Sequence, residues 1–133
     1  MNGYLADIEK LTKENTDFRR VLYTAPGSQL VLMCIKPGED IGEETHTLDQ
    51  FIRVEAGEGK AYLNGTEHVI ADGTAIVVPA GALHNVVNAG AVDLKLYTIY
   101  SPPEHKDGTV HKTKADAVAD VADHFDGTTT EVT

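Results

Sequence analysis

A single cysteine, Cys34, leaves no partner for an internal disulfide. It sits inside Leu30 to Ile35, the longest purely apolar run, and so reads as a small buried core residue and not as a nucleophile. That run is far too short to span a bilayer, which takes about 20 apolar residues. Basic residues are also scarce: 11 Lys and Arg against 21 Asp and Glu give a formal net charge of -10. Such a balance argues against a basic face for nucleic acid or for an anionic membrane. The stretch MNGYLADIEK is acidic and has no apolar h-region, so no signal peptide is expected and the chain reads as cytoplasmic. There is no repeat at solenoid spacing and no low-complexity tract.

What is present is enough for one domain with a real core, since 41% of the 133 residues are hydrophobic. Residues 1–17 read as a helical lead, with Leu5, Ile8 and Leu11 at helical intervals. From Phe18 the character changes. FRRVLYT and QLVLMCIKP flank the turn-forming APGS, and KAYL and TEHVI flank Asn64-Gly65, a strong two-residue hairpin signal. TAIVVP, HNVVN and VDLKLYTIY follow, without intervening helices, so residues 18–103 are expected to form an all-β sandwich or barrel. Residues 104–133 are read as a C-terminal extension. Ala115, Val118, Ala122 and Phe125 offer a weak helical face there, and DGTTTEVT reads as a mobile tail.

Within EETHTLDQ, Glu44 and His46 are two apart and would share one face of a strand, and Gln50 is an even number of residues further on. A carboxylate buried on that face would be costly without a cation, and a metal would resolve the cost. Taken alone, a T-H-T triplet is as consistent with a solvated loop.

The second stretch is GTAIVVPAGALHNVVN, with Gly73, Pro79, Gly81, His84 and Asn88 at fixed offsets. It resembles the second cupin motif, G(X)5PXG(X)2H(X)3N, at every defined position. At average usage the two glycines and the proline alone would coincide roughly once in 4,000 windows, so chance is a poor explanation. The first cupin motif, G(X)5HXH(X)3-4E(X)6G, then falls on Gly38 to Gly57. Gly38, His46 and Gly57 match it, while Glu44 stands in place of its first His and Gln50 in place of its Glu. The resemblance covers about residues 18 to 101 and implies a double-stranded β-helix, the cupin (RmlC-like) jelly roll.

By this resemblance the metal ligands are Glu44, His46, Gln50 and His84. Both substitutes are oxygen donors, which points to a retuned site. Two His, one carboxylate and one Gln also make up the ligand set of the cupin phosphomannose isomerases, with the carboxylate and amide exchanged between positions. The E-x-H-x3-Q pattern and the LKLYTIY-PPEH ending are similar to those of a bacterial group of small cupins. Such a set suits one divalent ion, Zn, Fe, Mn, Ni or Cu, and the absence of a thiolate excludes a structural Cys-type zinc site. The implied function is action on a small sugar, keto or carboxylate compound, isomerase-like by ligand analogy. A non-catalytic small-ligand-binding cupin and an Fe(II) dioxygenase are the alternatives. Only Arg53 and scattered lysines offer phosphate partners, which weighs against a sugar phosphate.

Gly73, Pro79, Gly81 and Asn88 are read as fold-shaping residues. Phe51, Glu55, Tyr62, Tyr97 and Tyr100 are candidates to line a pocket, with Tyr97 and Tyr100 on opposite faces of one strand. His105 and His111 are expected in a solvated tail, or else covering the barrel mouth, and His68 and His124 are expected at the surface. A homodimer through sheet edges or a strand such as FRRVLYT is expected, and no DNA-binding helix-turn-helix is visible.

Overall fold

The computed structural model describes residues 1–131. It opens with helix α1 (Ile8–Glu14), whose N-terminus is capped by Asp7 accepting from Lys10 N–H. The helix is shorter than the apolar spacing implies. Gly3 takes a left-handed φ of 80°, Asp7 offers the first cap, and Leu5 is left outside the helix and exposed.

Nine strands follow: β1 (Arg19–Thr24), β2 (Gln29–Ile35), β3 (Asp49–Ala56), β4 (Glu58–Leu63), β5 (Thr66–Ala71), β6 (Ala75–Val78), β7 (His84–Val87), β8 (Leu94–Ser101) and β9 (Val110–His111). A six-stranded sheet runs in the order β6-β3-β8-β2-β1-β9 and a three-stranded sheet in the order β5-β4-β7. Every pairing is antiparallel. Residues 38–44 extend the smaller sheet beside β7 through bridges at Asp40–Val87 and Glu44–His84. The result is the double-stranded β-helix, a mostly antiparallel jelly roll whose two sheets enclose one core.

Alternation decides what fills that core. Val31, Met33 and Ile35 of β2, Ile52 and Val54 of β3, and Leu94, Leu96 and Tyr100 of β8 all turn inward and are buried. Cys34 is buried as well, on the opposite side of β2. The β4–β5 hairpin closes at Leu63–Thr66 through Asn64 (φ 48°) and Gly65 (φ 83°), the left-handed pair that such a two-residue turn requires. Asn88 acts as a stitch. Its amide N–H groups reach the carbonyls of Ile35 and Val92, both at 2.8 Å, and its oxygen accepts from Gly90 N–H at 2.9 Å.

The chain beyond β8 folds back on the barrel. Strand β9 pairs with Arg19 and Arg20 of β1, so that this end of the strand expected to supply a dimer edge is already flanked on both sides. Helix α2 (Lys114–Ala119) begins in a capping box formed by Thr113 and Asp116. Its inner residue is Ala117, packed against the core, and Val118 is exposed. The expected face through Ala122 and Phe125 does not form because the helix ends at the Asp120 cap. Further on, Thr130 N–H donates to Thr24 O, and Glu131 accepts from the backbone of Asn2 and Gly3 and from the Tyr23 hydroxyl. Of the expected mobile tail, residues 132 and 133 lie outside the described residues. No helix among the described residues is long and apolar enough to cross a membrane.

Candidate metal centre

The segment carrying Glu44 and His46 is held from both sides. Glu44 and His84 exchange backbone hydrogen bonds, which fixes this segment against β7. Gly81 N–H donates to His46 O at 2.8 Å, and Ala80 N–H reaches the carboxylate of Asp49 at 2.9 Å. Along this segment Glu43, Thr45 and Thr47 are exposed while Glu44 and His46 turn toward the interior. One ligand atom from each of Glu44, His46 and His84 then lies within 4.8 Å of the others. The two imidazole rings are 5.1 Å apart between centroids.

The finer geometry fits a cation. His84 Nδ1 lies 3.0 Å from Ala82 O, so that nitrogen carries the proton and Nε2 keeps its lone pair free. His46 Nε2 is 2.8 Å from a Glu44 oxygen, yet the pair is not aligned as a hydrogen bond, and Nε2 counts as a buried polar atom without a bonded partner. Gln50, buried on β3, gives its amide N–H to Thr98 Oγ1 at 3.0 Å, and its Oε1 is left buried without a donor. Orphaned buried acceptors are uncommon, and a cation would satisfy this one.

The electrostatics favour an anionic Glu44. Burial, the largest influence on Glu44, pushes its carboxyl up. His46, Arg19 and His84 together outweigh it, so the group sits below its ordinary value and holds its charge. Glu44 in turn raises His46 against the opposing effect of burial. Around the cluster stands Tyr100, buried, with its hydroxyl raised by that burial. Its ring meets His46 edge-on at 6.0 Å and His105 edge-on at 5.0 Å.

Several residues outside the expected set also reach this region. Glu104 lies 3.5 Å from His46 Nδ1. His105 and His111, expected in a solvated tail, are both buried. His105 Nδ1 is 2.7 Å from Asp123, and His111 bridges Arg19 at 3.2 Å and Asp120 at 2.9 Å. The extension folds over the barrel and removes these imidazoles from water, and their carboxylate partners offset the cost. Arg19, not singled out from sequence, points inward and is 7% exposed. Its only sequence cue is the Arg19-Arg20 pair at the head of a strand. Arg53 points outward instead and pairs with Glu55 at 3.0 Å. Of the other pocket candidates, Phe51 and Tyr97 pack on each other with centroids 6.3 Å apart on the outer face, and Tyr62 bonds Glu67. His68 and His124 are exposed, as expected.

The two imidazoles and the carboxylate of Glu44, His46 and His84 are a group that could hold a divalent ion. Comparisons with known proteins bear on the family and the fold. The family model described as a cupin domain matches residues 31–100. The protein YrkC of Bacillus subtilis (strain 168) is 50% identical over 124 residues, spanning 87% of this chain and 66% of that protein. The chain thus spans just under two thirds of that relative's length. A protein of Acanthamoeba polyphaga mimivirus is 46% identical over 113 residues, covering 80% of this chain and 70% of its own. The crystal structure of BH2720 from Bacillus halodurans superposes with a TM-score of 0.87 at 48% identity, covering 89% of this chain and 95% of that one.

Proposed function

This chain belongs to the cupin family, and on that premise we propose that Glu44, His46, Gln50 and His84 hold one divalent metal ion beside which a small polar compound is bound and turned over. The observation that carries the reading is the convergence of donor atoms from Glu44, His46 and His84 within 4.8 Å. The His84 tautomer, set by Ala82 O, supports it. So does the partnerless oxygen of Gln50.

When bound, the ion supplies a Lewis acid that polarises a carbonyl or hydroxyl oxygen of the compound. The residues of the chain do the rest. Ala82 O orients the His84 ring, and Thr98 Oγ1 turns the Gln50 amide so that its oxygen faces the interior. Tyr100 walls the cluster with apolar surface and keeps water away. We assign proton uptake to His105 Nε2, which is buried and without a partner, while Asp123 holds Nδ1. Burial keeps this imidazole below its ordinary value, which favours the neutral, proton-accepting form. Proton movement next to a polarised carbonyl is isomerase-type chemistry, in keeping with the phosphomannose-isomerase-like ligand set.

Elemental analysis of protein purified without an affinity tag, beside His84→Ala, tests the metal. Near-stoichiometric metal that is lost in the variant supports the site. Protein that refuses Zn, Fe, Mn, Ni and Cu alike would end this reading and leave a non-catalytic binding barrel. Sugar and keto-acid isomerisation by the loaded protein, against a metal-free control, then tests the chemistry.

A further inference from the structure

Arg19 enters the barrel from β1 opposite Met33, one of the core residues. A guanidinium buried to this degree is costly unless an anion meets it. Among the described residues it forms no ion pair. Its Nη1 is used on His111 Nδ1, and His111 passes the contact on to Asp120 through Nε2. That leaves the opposite edge: Nε is fully buried without an acceptor, and no hydrogen bond from Nη2 is found among the described residues. This edge carries two parallel N–H groups and matches a carboxylate side-on.

Arg19 also lines a cleft of about 170 Å³, together with Glu44 and, from α2, Lys114, Ala117 and Val118. The lining thus brings together a metal-ligand candidate and a cation with an unused fork. The charge of Arg19 is felt at Glu44, His46, Tyr100, His105 and Asp123, which places it amid the polar groups of the interior. Lys114 is already engaged by Asp40 and adds no free charge.

We infer that the pocket selects a small carboxylate-bearing compound, its carboxylate docked on the Nε–Nη2 edge of Arg19 and its reacting oxygen directed toward the Glu44–His46–His84 cluster. The second half of this statement rests on the metal reading above, and the first half does not. A neutral polyol or sugar of the same size would offer the Arg19 fork acceptors but no counter-charge, and would be disfavoured for that reason.

The test is calorimetric titration of malonate, with malonamide as the uncharged analogue, into wild type, Arg19→Gln and Arg19→Lys. Each protein is used both loaded with Zn(II) and metal-free, with metal content and thermal unfolding recorded for each. Malonate is expected to bind wild type at least tenfold more tightly than Arg19→Gln at equal metal content, and malonamide is expected not to bind. Arg19→Lys, which keeps the charge and loses the planar fork, should fall between and carries the comparison if the glutamine variant does not fold. Equal malonate affinity in wild type and the variants would overturn the inference, as would inorganic phosphate binding more tightly than malonate. If the protein takes up no metal, the metal reading fails, and the same tenfold contrast in metal-free protein still decides for or against Arg19.

Discussion

Glu44 N–H donates to His84 O and His84 N–H to Glu44 O, both at 2.9 Å, so the two residues form a directly opposed, doubly hydrogen-bonded antiparallel pair. Two donors far apart in sequence are thereby set side by side by the backbone, before any side-chain interaction is counted. Replacing either side chain leaves that backbone pair intact. Glu44→Gln should therefore fold normally while losing the one anionic ligand of the cluster. A fall of at least about tenfold in metal affinity is expected, the lower bound for disturbing a ligand shell. Competition with a chromogenic chelator measures it, and unchanged affinity would remove Glu44 from the site.

Gly81 has φ 87° and open space where a Cβ would project, so Gly81→Ala tests backbone conformation alone. Its N–H anchors His46 O. The left-handed conformation costs a side-chain-bearing residue about 1–2 kcal/mol. The variant should lose that much stability in urea unfolding, and its metal affinity should drop with it. A variant as stable as wild type would show that the turn tolerates another geometry.

Asn88→Ala removes the side-chain partner of two carbonyls and one N–H, of which the bond to Ile35 O is buried and the other two are partly buried. At about 1 kcal/mol for each hydrogen bond lost, a loss of about 2–3 kcal/mol is expected. Denaturant midpoints of the two proteins settle it, and a loss below about 1 kcal/mol would mean that water takes the place of the amide.

Asp123 has a carboxyl held down to about 2 although burial opposes its charge, because His105, the backbone N–H of Lys106 and Arg19 favour it. A depressed folded value contributes stability that is complete above the unfolded value, about 3.9, and is lost as pH falls through the folded one. The packing of residues 104–125 on the barrel should therefore weaken between about pH 4 and pH 2. In Asp123→Asn that acid-dependent step should disappear. Amide chemical shifts of this segment followed through the titration report it directly, and identical acid profiles in the two proteins would refute it.

The barrel was legible in the sequence because period-2 alternation, the Asn64-Gly65 turn and the glycine and proline offsets of residues 73–88 all act locally. Glu44, His46 and His84, which the structure brings together, were reached through the resemblance of their two stretches to the cupin motifs. Arg19 could not be read from the sequence. Phe18, Arg19 and Val21 are all buried, and the register shifts between Val21 and Tyr23, so no simple alternation tells which of the adjacent arginines turns inward. His105 and His111 lacked any periodic context. Their burial depends on β9 pairing with β1 and on Asp120 and Asp123, contacts set only once the chain has folded back.

Glu131 accepts from Asn2, Gly3 and Tyr23, which brings the first and last described stretches of chain together at one spot. Over the described residues the path of the backbone nearly closes on itself. A short linker joining those stretches, with new ends opened in the exposed Asn64–Gly65 turn, would preserve every strand pairing in both sheets. Such a rewired chain would make the barrel in a different order of synthesis, with His84 emerging before Glu44, and would still converge on the same pocket.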